Sequence, residues 1–181
     1  FIAIRILLVP FINLLYKIKF QRQNQKTRDL FLVRTPIFDK LHAHKAGTPV
    51  GGGALIILVV SALYLILLNL WPVLGIEQTA VYPFKKEVQL ILFTFLSFGA
   101  LGLYDDLRKT FGFQKSKFWG LRFRHKFIAQ VILAVIIASL LYFNLGVSVV
   151  NIRYLTVIDL GIFYIPFAAF VIIAFANAVN I

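Results

Sequence analysis

Five apolar stretches, each near the length of a helix that crosses a bilayer, are separated by segments that hold every charge except Arg5 and Lys17. A crossing takes about 20 residues of helix. The stretches run from residue 1 to about 18, 51 to about 74, 88 to 104, 127 to about 145 and 160 to about 179. None alternates strictly between apolar and polar residues, as a barrel strand would, so all five read as helices. Pro166 lies in the fifth and is expected to kink it. The chain is 60% hydrophobic and 14% charged, against about half and about a quarter in soluble domains. The expected fold is an all-α polytopic integral membrane protein, a single transmembrane domain over residues 1–181. Without a methionine, the chain opens inside one apolar run and stops just after another, which reads as a fragment at both ends.

The connecting segments orient the spans. Residues 17–50 carry Lys17, Lys19, Arg22, Lys26, Arg28, Arg34, Lys40 and Lys45, and residues 105–126 carry Arg108, Lys109, Lys115, Lys117, Arg122, Arg124 and Lys126. The other two connections hold only Lys85, Lys86 and Arg153. Basic loops stay in the cytoplasm, so the loops at about 19–50 and 105–126 are expected there. The net charge of +12 is thus spread between spans. That distribution, with no nucleic-acid-binding signature, points to anionic lipid or phosphate and away from nucleic acid. The chain has no cysteine, which excludes thiolate metal sites, thiol nucleophiles and disulfides within it. His42, His44 and His125 show no metal-ligand spacing.

Three polar clusters lie at the ends of spans assigned to the cytoplasmic side. Asp105 and Asp106 are adjacent carboxylates where an apolar run ends. Like charges this close need neutralising, either by a divalent cation, which Mg²⁺ fits, or by neighbours such as Arg108 and Lys109. Lys45-Ala46-Gly47-Thr48-Pro49-Val50-Gly51-Gly52-Gly53 precedes the second span. Glycines and a helix start suit a phosphate, although the spacing is not that of a Walker loop, and the same residues could simply begin a helix and let neighbours pack closely. Asn177 and Asn180, three residues apart, share a helical face and could bond a substrate or a neighbouring helix. The basic loop from Lys115 to Lys126 also contains Phe118, Trp119 and Phe123, a mixture suited to the headgroup level.

In this order the clusters resemble the phospho-N-acetylmuramoyl-pentapeptide transferase family (MraY, translocase I of peptidoglycan synthesis). The matching residues are Lys45, Gly47, Thr48, Pro49, Gly52 and Gly53, then Gly102, Asp105, Asp106 and Lys109, then Asn177 and Asn180, with Lys126 as a further family lysine. The resemblance implies ten spans in a complete member and a location in the bacterial cytoplasmic membrane, with the active site on the cytoplasmic face. It implies a Mg²⁺-dependent transfer of phospho-N-acetylmuramoyl-pentapeptide from its UDP-linked donor to undecaprenyl phosphate, yielding lipid I and UMP. Asp105 and Asp106 would be the metal-binding and catalytic carboxylates. Lys45, Thr48, Lys109 and Lys126 would bind substrate phosphates, and Asn177 and Asn180 would line the site. Substrates and membrane lipids are the implied partners, and a homodimer is compatible with the resemblance.

Val50 stands where the family usually has threonine, which removes one hydroxyl. Past the position of residue 181 the family continues into Thr-Asp-Gly-Leu-Asp-Gly, a later aspartate and a histidine-rich loop, so residues 1–181 alone are expected to be inactive. Two rival readings are a sister transferase using UDP-N-acetylglucosamine and an ion-coupled transporter. Lys-Ala-Gly-Thr-Pro favours the muramoyl-pentapeptide branch over the first. Acids at a span end, with no internal repeat, disfavour the second. A purely structural scaffold would leave the acid pair and the glycine cluster unexplained.

Overall fold

The structure is a computed structural model that describes residues 2–22, 35–75, 81–111, 123–152 and 156–178. In chain order they form α1 (Ile2–Lys17), α2 (Pro36–His42), α3 (Gly52–Leu70), α4 (Phe84–Phe111), α5 (Phe123–Leu145), a hairpin of β1 (Val149–Ile152) and β2 (Thr156–Asp159), and α6 (Tyr164–Ala178). Single 3₁₀ turns, Ala43–Lys45 and Gly161–Phe163, follow α2 and precede α6. The molecule is a helical, multi-pass membrane protein.

Four helical segments among the described residues are long and apolar enough to cross a bilayer: Gly52–Leu70, Phe84–Phe111, Arg124–Leu145 and Gly161–Ala178. The first apolar stretch forms α1, whose 16 residues fall short of that length. These helices keep large apolar side chains outward, among them Leu58, Ile66, Ile132 and Phe170. In water such a surface would be an aggregation hazard, whereas in hydrocarbon it is the required one.

Helix α4 runs further than the apolar stretch 88–104 suggests. It starts at Phe84 and continues through Asp105 and Asp106 to Phe111. The two carboxylates are therefore helical residues rather than the opening of a loop. Pro166 falls in the first turn of α6, where a missing N–H is tolerated, so it helps to start a helix rather than interrupt one. The hairpin between α5 and α6 departs from the all-helical expectation. It pairs Val149 with Asp159 and Ile152 with Thr156 in antiparallel register, and its β-branched residues suit a strand.

The chain forms two compact units, one of Phe1–Leu70 with Gly99–Lys126 and the other of Trp71–Phe98 with Phe127–Ile181. In the first, α1 packs on α3. A methyl group at Gly99 of α4 would meet the side chain of Ile57 on α3, so the missing Cβ permits close helix approach. In the second, Ala134 and Ala138 of α5 pack with Ala168 and Ala169 of α6, all four buried, beside Tyr164, Ile165, Ile172 and Ile173. Small residues let these backbones come together where lipid supplies no hydrophobic drive.

The end of α1 shapes the first unit. Phe20 N–H donates to the Leu15 carbonyl at 2.8 Å and Lys19 N–H to that of Tyr16 at 3.0 Å. Lys19 adopts a φ of 55°. This is a Schellman cap with lysine in the left-handed position usually taken by glycine. The apolar pair that accompanies such a cap is present as Leu15 and Phe20, both buried. Beyond the cap the chain pairs with the glycine-rich segment. Arg22 N–H donates to the Thr48 carbonyl at 2.8 Å, Gly47 N–H to that of Arg22 at 2.8 Å, and Val50 N–H to that of Phe20 at 3.0 Å.

Candidate active site

Asp105 is the best-organised candidate residue. It is only 4% exposed, a costly position for a carboxylate unless cations compensate it. Two do so. Lys109, one turn further along α4, places Nζ 2.7 Å from Asp105 Oδ2, and Lys126, in the first turns of α5, places its Nζ 3.4 Å from the same oxygen. The first contact follows from helical i,i+4 spacing. The second requires the fold. Both lysines remain partly open, with side chains 41% and 29% exposed, so each ammonium keeps hydrogen-bonding capacity beyond Asp105.

Asp106 is half-buried, one position and so about 100° further around α4. Among the described residues no three His, Cys, Asp or Glu side chains gather as a metal cage. The donor set instead suits a hard cation such as Mg²⁺, which commonly takes one or two carboxylates and completes its shell with substrate oxygens and water. Asp105 and Asp106 are chemically fitted to that role, although the Asp105 oxygen is already shared by two ammonium groups.

Lys45 and Thr48 are exposed in the segment before α3. The Thr48 hydroxyl donates to the Lys45 carbonyl at 2.7 Å, which closes a local turn. Of the glycines there, Gly47 and Gly51 both adopt left-handed backbone, with a φ of +85° at Gly47, and Gly51 is in addition closed in by a neighbour. Its φ is +87°, and a Cβ built on it would overlap the Phe20 ring, whereas Gly52 and Gly53 have open space. The Phe20 ring also stacks on Phe111 at the end of α4, with centroids 5.4 Å apart and planes 4° from parallel. Segment and carboxylate helix are therefore tied together within one unit.

Asn177 belongs to the second unit. Its side-chain amide donates to Gln130 Oε1 at 3.2 Å and to the Ile173 carbonyl at 2.9 Å, the inter-helix alternative among the roles open to it. Asn180 lies outside the described residues, as do Lys26, Arg28, Arg34, Arg153 and the basic aromatic segment 112–122. Phe20 and Gln130 belong to no motif in the sequence. A lone glutamine inside an apolar run was a usable signal for the second. Nothing in the sequence separated Phe20 from the other aromatics of an interfacial segment.

A multi-pass helical protein with adjacent carboxylates at a span end, one of them held by two lysines, defines the class. The profile of glycosyl transferase family 4 matches residues 88–181, just over half of the chain, and the chain belongs to that family. It is 34% identical over 142 residues to a phospho-N-acetylmuramoyl-pentapeptide-transferase of Caldanaerobacter subterraneus subsp. tengcongensis, covering 78% of this chain and 40% of that protein. Proteins of the same name from Aquifex aeolicus and Rickettsia canadensis are 34% and 36% identical. Those matches take in 97% and 91% of this chain, and 45% and 41% of the respective relatives. The chain thus spans less than half the length of these curated relatives.

Proposed function

We propose that the protein containing this chain transfers phospho-N-acetylmuramoyl-pentapeptide from its UDP-linked donor to undecaprenyl phosphate in the bacterial cytoplasmic membrane, on its cytoplasmic face, releasing UMP and leaving lipid I. The observation that carries the reading is the buried Asp105 bridging Lys109 and Lys126, in a chain whose relatives bear that enzyme's name.

The chemistry is an exchange of one phosphoanhydride for another. An oxygen of the lipid phosphate attacks the sugar-linked phosphorus of the donor, and the bond from that phosphorus to the bridging oxygen breaks. That oxygen leaves on UMP with the electron pair. A phosphate monoester is largely ionised near neutral pH, so the nucleophile needs little help from a base. Negative charge moves from the lipid phosphate to UMP during the transfer. Lys109 and Lys126, held at one carboxylate, supply fixed positive charge where it passes, and Lys45, from the segment before α3, binds the donor's phosphates. Mg²⁺ would be held by Asp106 and Asp105, and when bound it neutralises the diphosphate and stabilises the departing phosphate.

The test is transfer by the protein expressed from its full reading frame, reconstituted with undecaprenyl phosphate, Mg²⁺ and either UDP-linked donor. The expected products are UMP and lipid-linked muramoyl-pentapeptide in equal amounts, with chelation abolishing both. Turnover of UDP-N-acetylglucosamine instead would identify a sister transferase, and absence of any lipid-linked product would refute the reading.

A further inference from the structure

Phe20 touches the elements that carry two of the polar clusters. Its backbone is pinned on both sides, donating to Leu15 and accepting from Val50. The residue is 4% exposed. One part of the ring fills the space where any side chain at Gly51 would sit, and the ring stacks on Phe111 of the helix that bears Asp105 and Lys109. We infer that Phe20 is a positioning residue of the proposed transferase site, setting the Lys45–Gly53 segment against the carboxyl end of α4. The inference rests on the functional reading above, because it assigns to that segment a part in holding the donor's phosphates.

The physical reasoning runs through order. A nine-residue segment with four glycines, an alanine and a proline has few side chains with which to fix its own conformation, and glycine carries the largest conformational freedom of any residue. Backbone bonds from Gly47 and Val50 to the stretch Phe20–Arg22, around the isolated bridge between Gln21 and Pro49, hold its middle. The ring then closes the gap at Gly51, at the turn into α3. Without the ring, the segment keeps these backbone bonds but loses the packed surface that sets its distance from α4. Donor affinity should then suffer before the chemical step does.

The test uses the full-length protein reconstituted in lipid. In Phe20→Ala the donor KM is expected to rise about tenfold or more with kcat nearly unchanged, the pattern of lost binding geometry. A spin label on Ala46→Cys should become more mobile while one on Phe143→Cys, in the other unit, does not change. Phe20→Tyr, which keeps the ring, should restore both, and Phe20→Leu replaces the alanine variant if that fails to fold, with the same direction expected. Unchanged KM and unchanged mobility at Ala46 would overturn the inference, as would equal loosening of both labels, which would make Phe20 a general folding residue. A wild-type protein without transfer activity would refute the transferase reading, and with it the kinetic part of the inference. The label at Ala46 would still decide whether Phe20 orders the segment.

Discussion

Lys126 stands 3.4 Å from Oδ2 of Asp105 although 21 positions separate them in the chain, and Lys109 reaches the same oxygen at 2.7 Å. The carboxylate is buried and the ammonium groups are partly open. Their energetic roles are therefore unequal. Removing either lysine alone leaves the other on Asp105, so Lys109→Ala and Lys126→Ala should each cost no more than about 1 kcal/mol, as partly exposed pairs do. The double variant leaves the buried oxygen without either ammonium, and its cost should exceed the sum of the two by about 1 kcal/mol or more. A double-mutant cycle on thermal stability in detergent checks this, and strict additivity would contradict it.

Glycines that look alike in sequence should respond differently. Gly51→Ala places a Cβ in the Phe20 ring at a φ of +87°, and is expected to lose about 2–4 kcal/mol from strain and overpacking together. Gly52→Ala, in the first turn of α3 with open space around it, should be neutral or gain up to about 1 kcal/mol. Melting temperatures of the two variants provide the comparison.

Lys19 occupies the left-handed position of the α1 cap with a φ of 55°. Lys19→Gly should relieve that strain and stabilise the protein by up to about 1 kcal/mol. A drop in melting temperature would show that the lysine side chain contributes more than the strain costs.

In the second unit, Gln130 is 5% exposed and accepts from Asn177 at 3.2 Å. Inter-helix bonds of this kind in membranes are worth about 0.6 kcal/mol and at most about 1.7. Gln130→Leu should cost about that much in the wild-type background and much less in an Asn177→Ala background. Equal costs in both would mean that the bond contributes nothing.

The apolar runs already outlined the helices, because lipid demands continuous hydrophobic segments whatever their neighbours do. The end of α4 was harder to see. Asp105, Asp106, Arg108 and Lys109 look like a loop when only hydropathy is weighed, yet Asp105 and Lys109 stand at the i,i+4 spacing that supports helix. The Lys126 contact depends on how α5 meets α4, and local sequence carries no trace of it. The hairpin was hidden for another reason. Four-residue strands in a short connection give too brief a pattern, although Val149, Val150, Thr156, Val157 and Ile158 favour extended backbone. Phe20 gains its importance only from what lies across from it, a glycine on one side and a phenylalanine on the other.

The proposed site draws cations from the segment before α3 and from α4 with α5, so all must open on the cytoplasmic side of the membrane. Single cysteines at Thr48 and at Arg108, treated with a membrane-impermeant maleimide in sealed right-side-out and inverted vesicles, measure this directly. The expected result is that both positions react only in inverted vesicles. Reaction of the two positions from opposite faces would contradict the proposed site, and reaction of both from the outer face would contradict its placement toward the cytoplasmic donor.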